Sequence, residues 1–394
     1  MKNIKRVFLI VLDSFGIGNE PDAADFGDGV CNTLKSIAQS EKFFVPNLEK
    51  IGLFNIDGVE WAKRAVTNPA ASFARLQEKS RGKDTTIGHW EIAGIISEKP
   101  LPTYPEGFPP EIISKLEKAF GKKIICNKPY SGTAVIHDFG QEHEETGALI
   151  VYTSADSVLQ IAAHENLVPV EELYNYCRTA RKIMQGKHGV GRIIARPFTG
   201  NFPNYERTAR RHDFSLEPPQ ETILDAMQKK NLATIGVGKI SDIFAAQGIS
   251  KSLGVNQDNT DGMKKTFAQM AEDFEGLCFV NLVDFDMKFG HRRDVDGYAN
   301  AMTIFDLELG EFLSKMKSDD VLIITADHGC DPAAPGTDHT REYVPFLIYG
   351  QKIRSGVNLG TCPTFSVIAA TLAEIFSVDF HTQGESILKS VSKF

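Results

Sequence analysis

Aspartate and histidine stand at or just beyond the ends of apolar runs in three separate stretches of the chain. The first is Val11-Leu12-Asp13-Ser14-Phe15-Gly16-Ile17-Gly18. The second is Asp284-Phe285-Asp286-Met287-Lys288-Phe289-Gly290-His291-Arg292-Arg293-Asp294. The third is Thr325-Ala326-Asp327-His328-Gly329-Cys330-Asp331-Pro332, followed closely by Gly336-Thr337-Asp338-His339-Thr340-Arg341-Glu342. Carboxylate oxygen and imidazole nitrogen together form a donor set for Zn- or Mn-type divalent ions. Six such side chains can hold two ions with coordination positions left open, and a pair of ions can clamp both the attacking and the leaving oxygen of a displacement. Taken singly, an Asp after a strand is a helix cap or a turn residue. The chain has only 10 His, and three of them lie near Asp in these segments, so the combined pattern reads as a metal centre.

A second chemical signal is Gly82-Lys83-Asp84-Thr85-Thr86-Ile87-Gly88-His89-Trp90-Glu91. A Gly-flanked Thr opening a helix is placed to be a nucleophile, because helix-start amides stabilise phosphate and a nearby cation lowers the hydroxyl pKa. The same position suits an N-cap, and the segment alone does not choose between Thr85 and Thr86. Gly16-Ile17-Gly18 lacks the third glycine of a dinucleotide fingerprint. Gly236-Val237-Gly238-Lys239 is no P-loop either: Ala233 stands where the first glycine belongs, and Ile240 where Ser or Thr is needed. Lys239 is then a phosphate contact or a solvated lysine. Arg192, Arg196, Arg207, Arg210 and Arg211 gather in the middle of the chain, where they suit bidentate phosphate binding or solvated ion pairs.

The elements that must position these residues follow from periodicity. Val7–Leu12, Leu277–Val283, Val321–Thr325 and Val344–Tyr349 are continuous or nearly continuous apolar runs, the mark of strands buried on both faces. Helical spacing over Tyr298–Met316 alternates with them, which predicts an α/β fold with a mostly parallel sheet flanked by helices. Ligands of such sheets bind beyond the carboxyl ends of the strands, where the Asp and His clusters lie. Pro- and Gly-rich edges near Pro100 and Pro219 delimit a segment of different texture, 100–219, read as a smaller α/β domain inserted into a core of residues 1–99 and 220–394. Inside it the pattern predicts helices over Glu111–Phe120 and Glu171–Met184 and strands near Ile124, Leu149–Thr153 and Arg192–Ala195. The 394 residues carry a net charge of -8, which argues against a nucleic-acid binder, since that needs a basic face. Local cations are needed to attract an anionic substrate to such a chain. Cys31, Cys126, Cys177, Cys278, Cys330 and Cys362 lie far apart and read as reduced thiols of a cytoplasmic protein. No apolar run is long enough for a membrane span, and the N-terminal run ends too soon for a signal peptide.

In this order, the motifs resemble the phosphopentomutase branch of the alkaline phosphatase superfamily. The pieces that carry the resemblance are Leu12–Gly18, Gly82–Glu91, Tyr152–Ser157, Gly191–Phe198, Gly238–Ile243, Asn281–Asp286, Gly290–Asp294 and Gly336–Pro345, so it covers essentially the whole chain. It implies an alkaline-phosphatase-like core with an inserted cap. It also implies two Mn2+ ions, one held by Asp286, His291 and His339 and the other by Asp13, Asp327 and His328. Thr85 matches the phosphorylated threonine. Asp156 and Arg192 in the cap and Lys239 in the core match positions that face a sugar phosphate, with Arg207 and Arg211 as further cap contacts. The implied reaction interconverts ribose 1-phosphate and ribose 5-phosphate, and the 2-deoxy sugars, in an enzyme primed by a sugar bisphosphate; its partners are small sugar phosphates, with no nucleic acid or membrane. One position departs from the family pattern: Cys330 stands where Asn is usual, either as a packing residue or as a thiol beside the metals that favours a softer ion.

Overall fold

The computed structural model describes residues 4–154 and 156–394. The chain forms two compact units, Met1–Pro100 with Pro218–Phe394, and Leu101–Glu217 between them. Numbered along the chain, β1 (Arg6–Leu12) and β2 (Ser72–Leu76) precede the inserted unit. That unit holds β3 (Ile124–Pro129), β4 (Leu149–Thr153), β5 (Val158–His164), β6 (Arg192–Asn201), β7 (Asn204–Arg207) and β8 (His212–Ser215). The larger unit resumes with β9 (Ala233–Val237), β10 (Lys251–Ser252), β11 (Gly276–Leu282), β12 (Asp320–Thr325), β13 (Val344–Tyr349) and β14 (Asn358–Cys362).

The larger unit is built on one eight-stranded sheet in the order β10-β9-β11-β1-β12-β13-β2-β14. Only β13 runs against its neighbours; the other pairings are parallel. Central strands β1, β11 and β12 are buried along their whole length, which explains why their sequences read as apolar runs and not as alternation. Register does the positioning. Leu12 pairs with Leu282, and Val11 with Thr325, so the three strands end level and the residues after them emerge side by side. Helices including Asn259–Ala271, Val295–Lys315 and Val367–Phe376 flank the sheet. The architecture is the α/β class expected from the apolar periodicity.

In the inserted unit the path is β3-β4-β5-β6-β7, with β8 on β6. Its strands do alternate. Leu149 and Val151 face Ile112, Leu116, Leu173 and Cys177 of the helices Pro110–Phe120 and Val170–Ile183. Ile150 and Tyr152 face Val135 and Ile136 of a third helix, Ala134–Thr146. Sequence periodicity did not anticipate that third helix, whose Gln, Glu and His residues dilute its apolar stripe. Among the described residues, no helix is long and apolar enough to cross a membrane.

Candidate metal centre and nucleophile

Three level strand ends deliver the donors. Beyond β1 the chain turns at Asp13-Ser14, with Ser14 in the left-handed region at φ 70°. A non-glycine residue is uncommon there and is held by its surroundings: the Ser14 amide donates to Asp327 Oδ1 at 3.1 Å, its carbonyl accepts from the Cys330 amide at 3.1 Å, and its hydroxyl meets Tyr298 at 3.2 Å. Beyond β11 one turn of π-helix, Phe285–Gly290, carries Asp286 and ends at His291, whose amide bonds back five residues to the Asp286 carbonyl. Such wide turns occur mostly as single insertions, often at functional sites. Beyond β12 come Asp327 and His328, and the following loop returns through His339.

Ligand atoms of Asp13, Asp327 and His328 lie within 4.8 Å of one another, as do those of Asp286, His328 and His339, and those of Asp286, His291 and Cys330. His328 Nε2 is 3.4 Å from both Asp13 Oδ1 and Asp327 Oδ2. Asp286 is 3.4 Å from His291 Nε2 and 3.3 Å from His339 Nε2. Two of the imidazoles are aimed by their other nitrogen: His328 Nδ1 donates to the Gly329 carbonyl at 3.0 Å, and His291 Nδ1 to the Thr337 carbonyl at 2.6 Å. That fixes the tautomer and leaves each Nε2 facing the carboxylates.

Asp13 Oδ1, Asp286 Oδ1, Asp327 Oδ2 and His339 Nε2 are buried with no hydrogen-bond partner. Each such atom costs on the order of 1–3 kcal/mol when left unsatisfied. Four of them converging with two aimed imidazoles is the donor arrangement a divalent cation would satisfy. The charges point the same way. Burial, then the neighbouring Asp327, raise Asp13. Burial would also raise Asp286 and Asp327, but the imidazoles outweigh it and hold Asp286 well below the carboxylate range and Asp327 below it to a lesser degree. Burial opposes a charge on His328, yet Asp327 and Asp13 keep it up to about 10. The hydrogen bond to Asp286 lifts His291 to about 12. A cation bound here would supply the positive charge that these buried carboxylates call for.

Thr85 is the first residue of the helix Thr85–Ile92, and its Oγ1 lies 3.2 Å from His328 Nε2. The cap of this helix is Asp84, whose carboxylate accepts from the Thr86 and Ile87 amides at 3.0 and 3.2 Å. Neither threonine is therefore the cap, and the Thr85 hydroxyl is left to the cluster. Gly88 lets the helix approach closely: a Cβ there would sit 2.1 Å from the Asp327 carbonyl. His89, one turn after Thr85, donates from Nδ1 to the Thr85 carbonyl at 2.8 Å, and the same nitrogen lies 3.1 Å from Asp327 Oδ2. Asn281 in β11 donates to Asp13 Oδ2 at 2.7 Å and stands 3.4 Å from His89 Nε2. Neither His89 nor Asn281 was singled out from the sequence. A buried amide inside the apolar run of β11 was the signal available for Asn281, and the i+4 spacing from Thr85 was the signal for His89.

The loop before Thr85 is anchored from below. Arg341 pairs with Glu78 at 2.7 Å and Glu20 at 3.1 Å and donates to the carbonyls of Ser80 and Gly82 at 2.9 and 2.7 Å. Lys83 pairs with Asp28 at 2.7 Å and with Asp338, next to His339, at 3.2 Å.

The remaining expected site residues lie elsewhere. Lys239 precedes the short helix Ile240–Ile243 after β9. In the inserted unit Arg192 is 3.7 Å from Asp156 and 3.6 Å from Asp213. Arg211 pairs with Asp213 at 2.7 Å. Arg196, Arg207 and Arg211 line a cavity of about 590 Å3.

A sheet with donor groups clustered beyond its strand ends is the framework of a candidate metal centre. The Metalloenzyme superfamily model matches residues 5–380. Over 390 residues the chain is 57% identical to the phosphopentomutase of Lachnoclostridium phytofermentans, covering 99% of this chain and 100% of that protein. It is 54% identical to the phosphopentomutase of Acetivibrio thermocellus, covering 98% and 100%, and 52% identical to that of Clostridium novyi, covering 99% and 100%. The chain belongs to the phosphopentomutase family. Among solved structures it is similar to the PH0037 protein of Pyrococcus horikoshii, at 14% identity and TM-score 0.49 over 98% of this chain and 100% of that one. It is also similar to the phosphoglycerate mutase of Leishmania mexicana, at 11% identity and TM-score 0.49 over 97% of each.

Proposed function

We propose that the protein interconverts α-D-ribose 1-phosphate and D-ribose 5-phosphate, and the 2-deoxyribose equivalents, through a phosphorylated Thr85. In this reading Asp286, His291 and His339 hold one Mn2+ ion, and Asp13, Asp327 and His328 hold a second. The donor set fits such ions, because the orphaned oxygens and the His339 nitrogen gain partners when cations bind. The bound pair supplies charge neutralisation for the transferring phosphoryl group.

The chain's own residues do the rest. Thr85 Oγ1 carries the phosphoryl group after priming by a sugar bisphosphate. An oxygen of the sugar monophosphate attacks phosphorus, the P–Oγ1 bond breaks as the new P–O bond forms, and the net proton passes from the sugar hydroxyl to Thr85. The resulting bisphosphate turns over and returns its other phosphoryl group to Oγ1. His89 and Asp84 hold the start of the helix in place for both transfers. The inserted unit acts as a cap contributing Asp156, Arg192, Arg207 and Arg211, and Lys239 is a further contact to the sugar phosphate. The arginine-lined cavity supports an anionic ligand there. Six cysteines without a disulfide suit a reducing cytoplasm.

The observation that carries the reading is the Thr85 hydroxyl, 3.2 Å from His328 Nε2 within the donor cluster. Mass analysis after incubation with ribose 1,5-bisphosphate tests it, with one phosphate located on Thr85 as the expected result. Ribose 5-phosphate should then give ribose 1-phosphate. Free phosphate as the main product would make the protein a hydrolase instead.

A further inference from the structure

We infer that Asn281 is a positioning residue for both halves of the centre: one carboxamide aims Asp13 at its cation and, through His89, sets the start of the helix that carries Thr85. The inference rests on the reading that Asp13 holds a cation and Thr85 the phosphoryl group.

Three observations carry it. First, Asn281 is fully buried near the end of β11, in a strand otherwise made of glycine and apolar residues. A buried amide is unfavourable there unless its polar atoms are bonded. Its Nδ2 donates to Asp13 Oδ2 at 2.7 Å. That bond engages one oxygen of Asp13 and leaves the other, Oδ1, without a partner and 3.4 Å from His328 Nε2. The carboxylate is thus held by β11 on one side and offered to the donor cluster on the other. Second, the same Nδ2 stands 3.4 Å from His89 Nε2. His89 Nδ1 donates to the Thr85 carbonyl at 2.8 Å, so Nε2 is left to accept. Phe279, two residues earlier on the same face of β11, stacks on the His89 ring with centroids 5.7 Å apart and planes at 27°. Two successive side chains of one face of the strand therefore seat the first turn of the helix. Third, the main chain of Asn281 is itself fixed. Its carbonyl accepts from Asn256 Nδ2 at 3.1 Å, and Gly238 packs so closely that a Cβ there would lie 2.5 Å from that carbonyl.

Asn281 Oδ1 has no hydrogen-bond partner. The residue is therefore not there for its acceptor. A leucine of similar size would pack in the strand without stranding an oxygen, but it has no N–H groups to give. What asparagine adds is two donors on one nitrogen, spread between a carboxylate and an imidazole. Groups that orient metal ligands in this way govern affinity and reactivity without touching the ion.

The test compares full-length wild type with Asn281→Leu and Asn281→Ala, each shown to be folded by circular dichroism. Titration of the metal-free proteins with Mn2+ should give dissociation constants about 10–100-fold weaker in both variants. At saturating Mn2+, phosphate uptake by Thr85 from ribose 1,5-bisphosphate should slow, and kcat should fall while KM for ribose 5-phosphate changes little. In a double-mutant cycle with His89→Phe, the losses in uptake rate should be clearly less than additive, because either change breaks the same link. Folded variants that are less heat-stable but keep the wild-type Mn2+ affinity overturn the inference and leave Asn281 a structural residue. Fully additive losses in the cycle overturn the link to Thr85. A wild type that binds Mn2+ yet takes up no phosphate overturns the nucleophile reading, and the affinity comparison still decides the role toward Asp13. Failure of wild type to bind Mn2+ at all overturns the metal-centre reading and this inference together.

Discussion

In the larger unit Arg341 is 2% exposed and every direction its guanidinium faces is filled, by Glu20, Asp22 and Glu78 and by three backbone carbonyls. In the inserted unit Arg192 keeps 32% of its side chain exposed, and its carboxylate partners stand at 3.6 and 3.7 Å. Both are arginines among acids, and they do different work. A buried, saturated guanidinium cannot change partners without leaving charges stranded in a poor dielectric, so it serves as a fixed post for the loop that carries Thr85. A half-exposed arginine with loose partners can release them to an incoming anion at little cost. The same contrast separates the donor cluster, whose geometry is pinned by short contacts and aimed imidazoles, from Arg192, whose ion pairs are long and partly exposed.

Five measurements break or sharpen this contrast. The largest effect is expected for Thr85→Ala, which should lower mutase turnover by about 10^4-fold or more, in line with removal of a nucleophile. Phosphate uptake from a sugar bisphosphate should disappear while Mn2+ still raises the thermal midpoint. Arg341→Met should destabilise the fold by about 3–5 kcal/mol in denaturant titrations, because it strands buried acids. Chelation of the metals should lower stability by about 2.7 kcal/mol per site at a starting metal concentration of 100 Kd, with recovery on adding Mn2+ back. Gly88→Ala forces a methyl against the Asp327 carbonyl. It should cost roughly 1–3 kcal/mol and reduce kcat more than it raises KM, since the displaced helix carries Thr85. The smallest stability effect belongs to Arg192→Ala, about 1 kcal/mol or less, with the loss appearing as a raised KM for the sugar phosphate. If Arg192→Ala were as destabilising as Arg341→Met, the division between fixed and exchangeable charge would collapse.

Local chemistry written along the chain was enough to place the buried strands β1, β11, β12 and β13, because strands covered on both faces must be apolar throughout. It also marked Asp13, Asp286, His291, Asp327, His328 and His339 as potential donors, because carboxylates and imidazoles at strand ends have few other reasons to cluster. The inserted segment announced itself by its Pro- and Gly-rich edges. Short strands such as β2, β7 and β14 were not legible, since so few residues set no clear period. Folding alone decided which oxygen of each Asp is left without a partner, that Asp84 and not Thr85 caps the helix, and that His89 and Asn281 stand around the donors. Those outcomes depend on contacts between residues up to hundreds of positions apart. Such contacts are fixed by the parallel register of the sheet and by how closely Gly88 lets a helix approach it, and no local pattern encodes either distance.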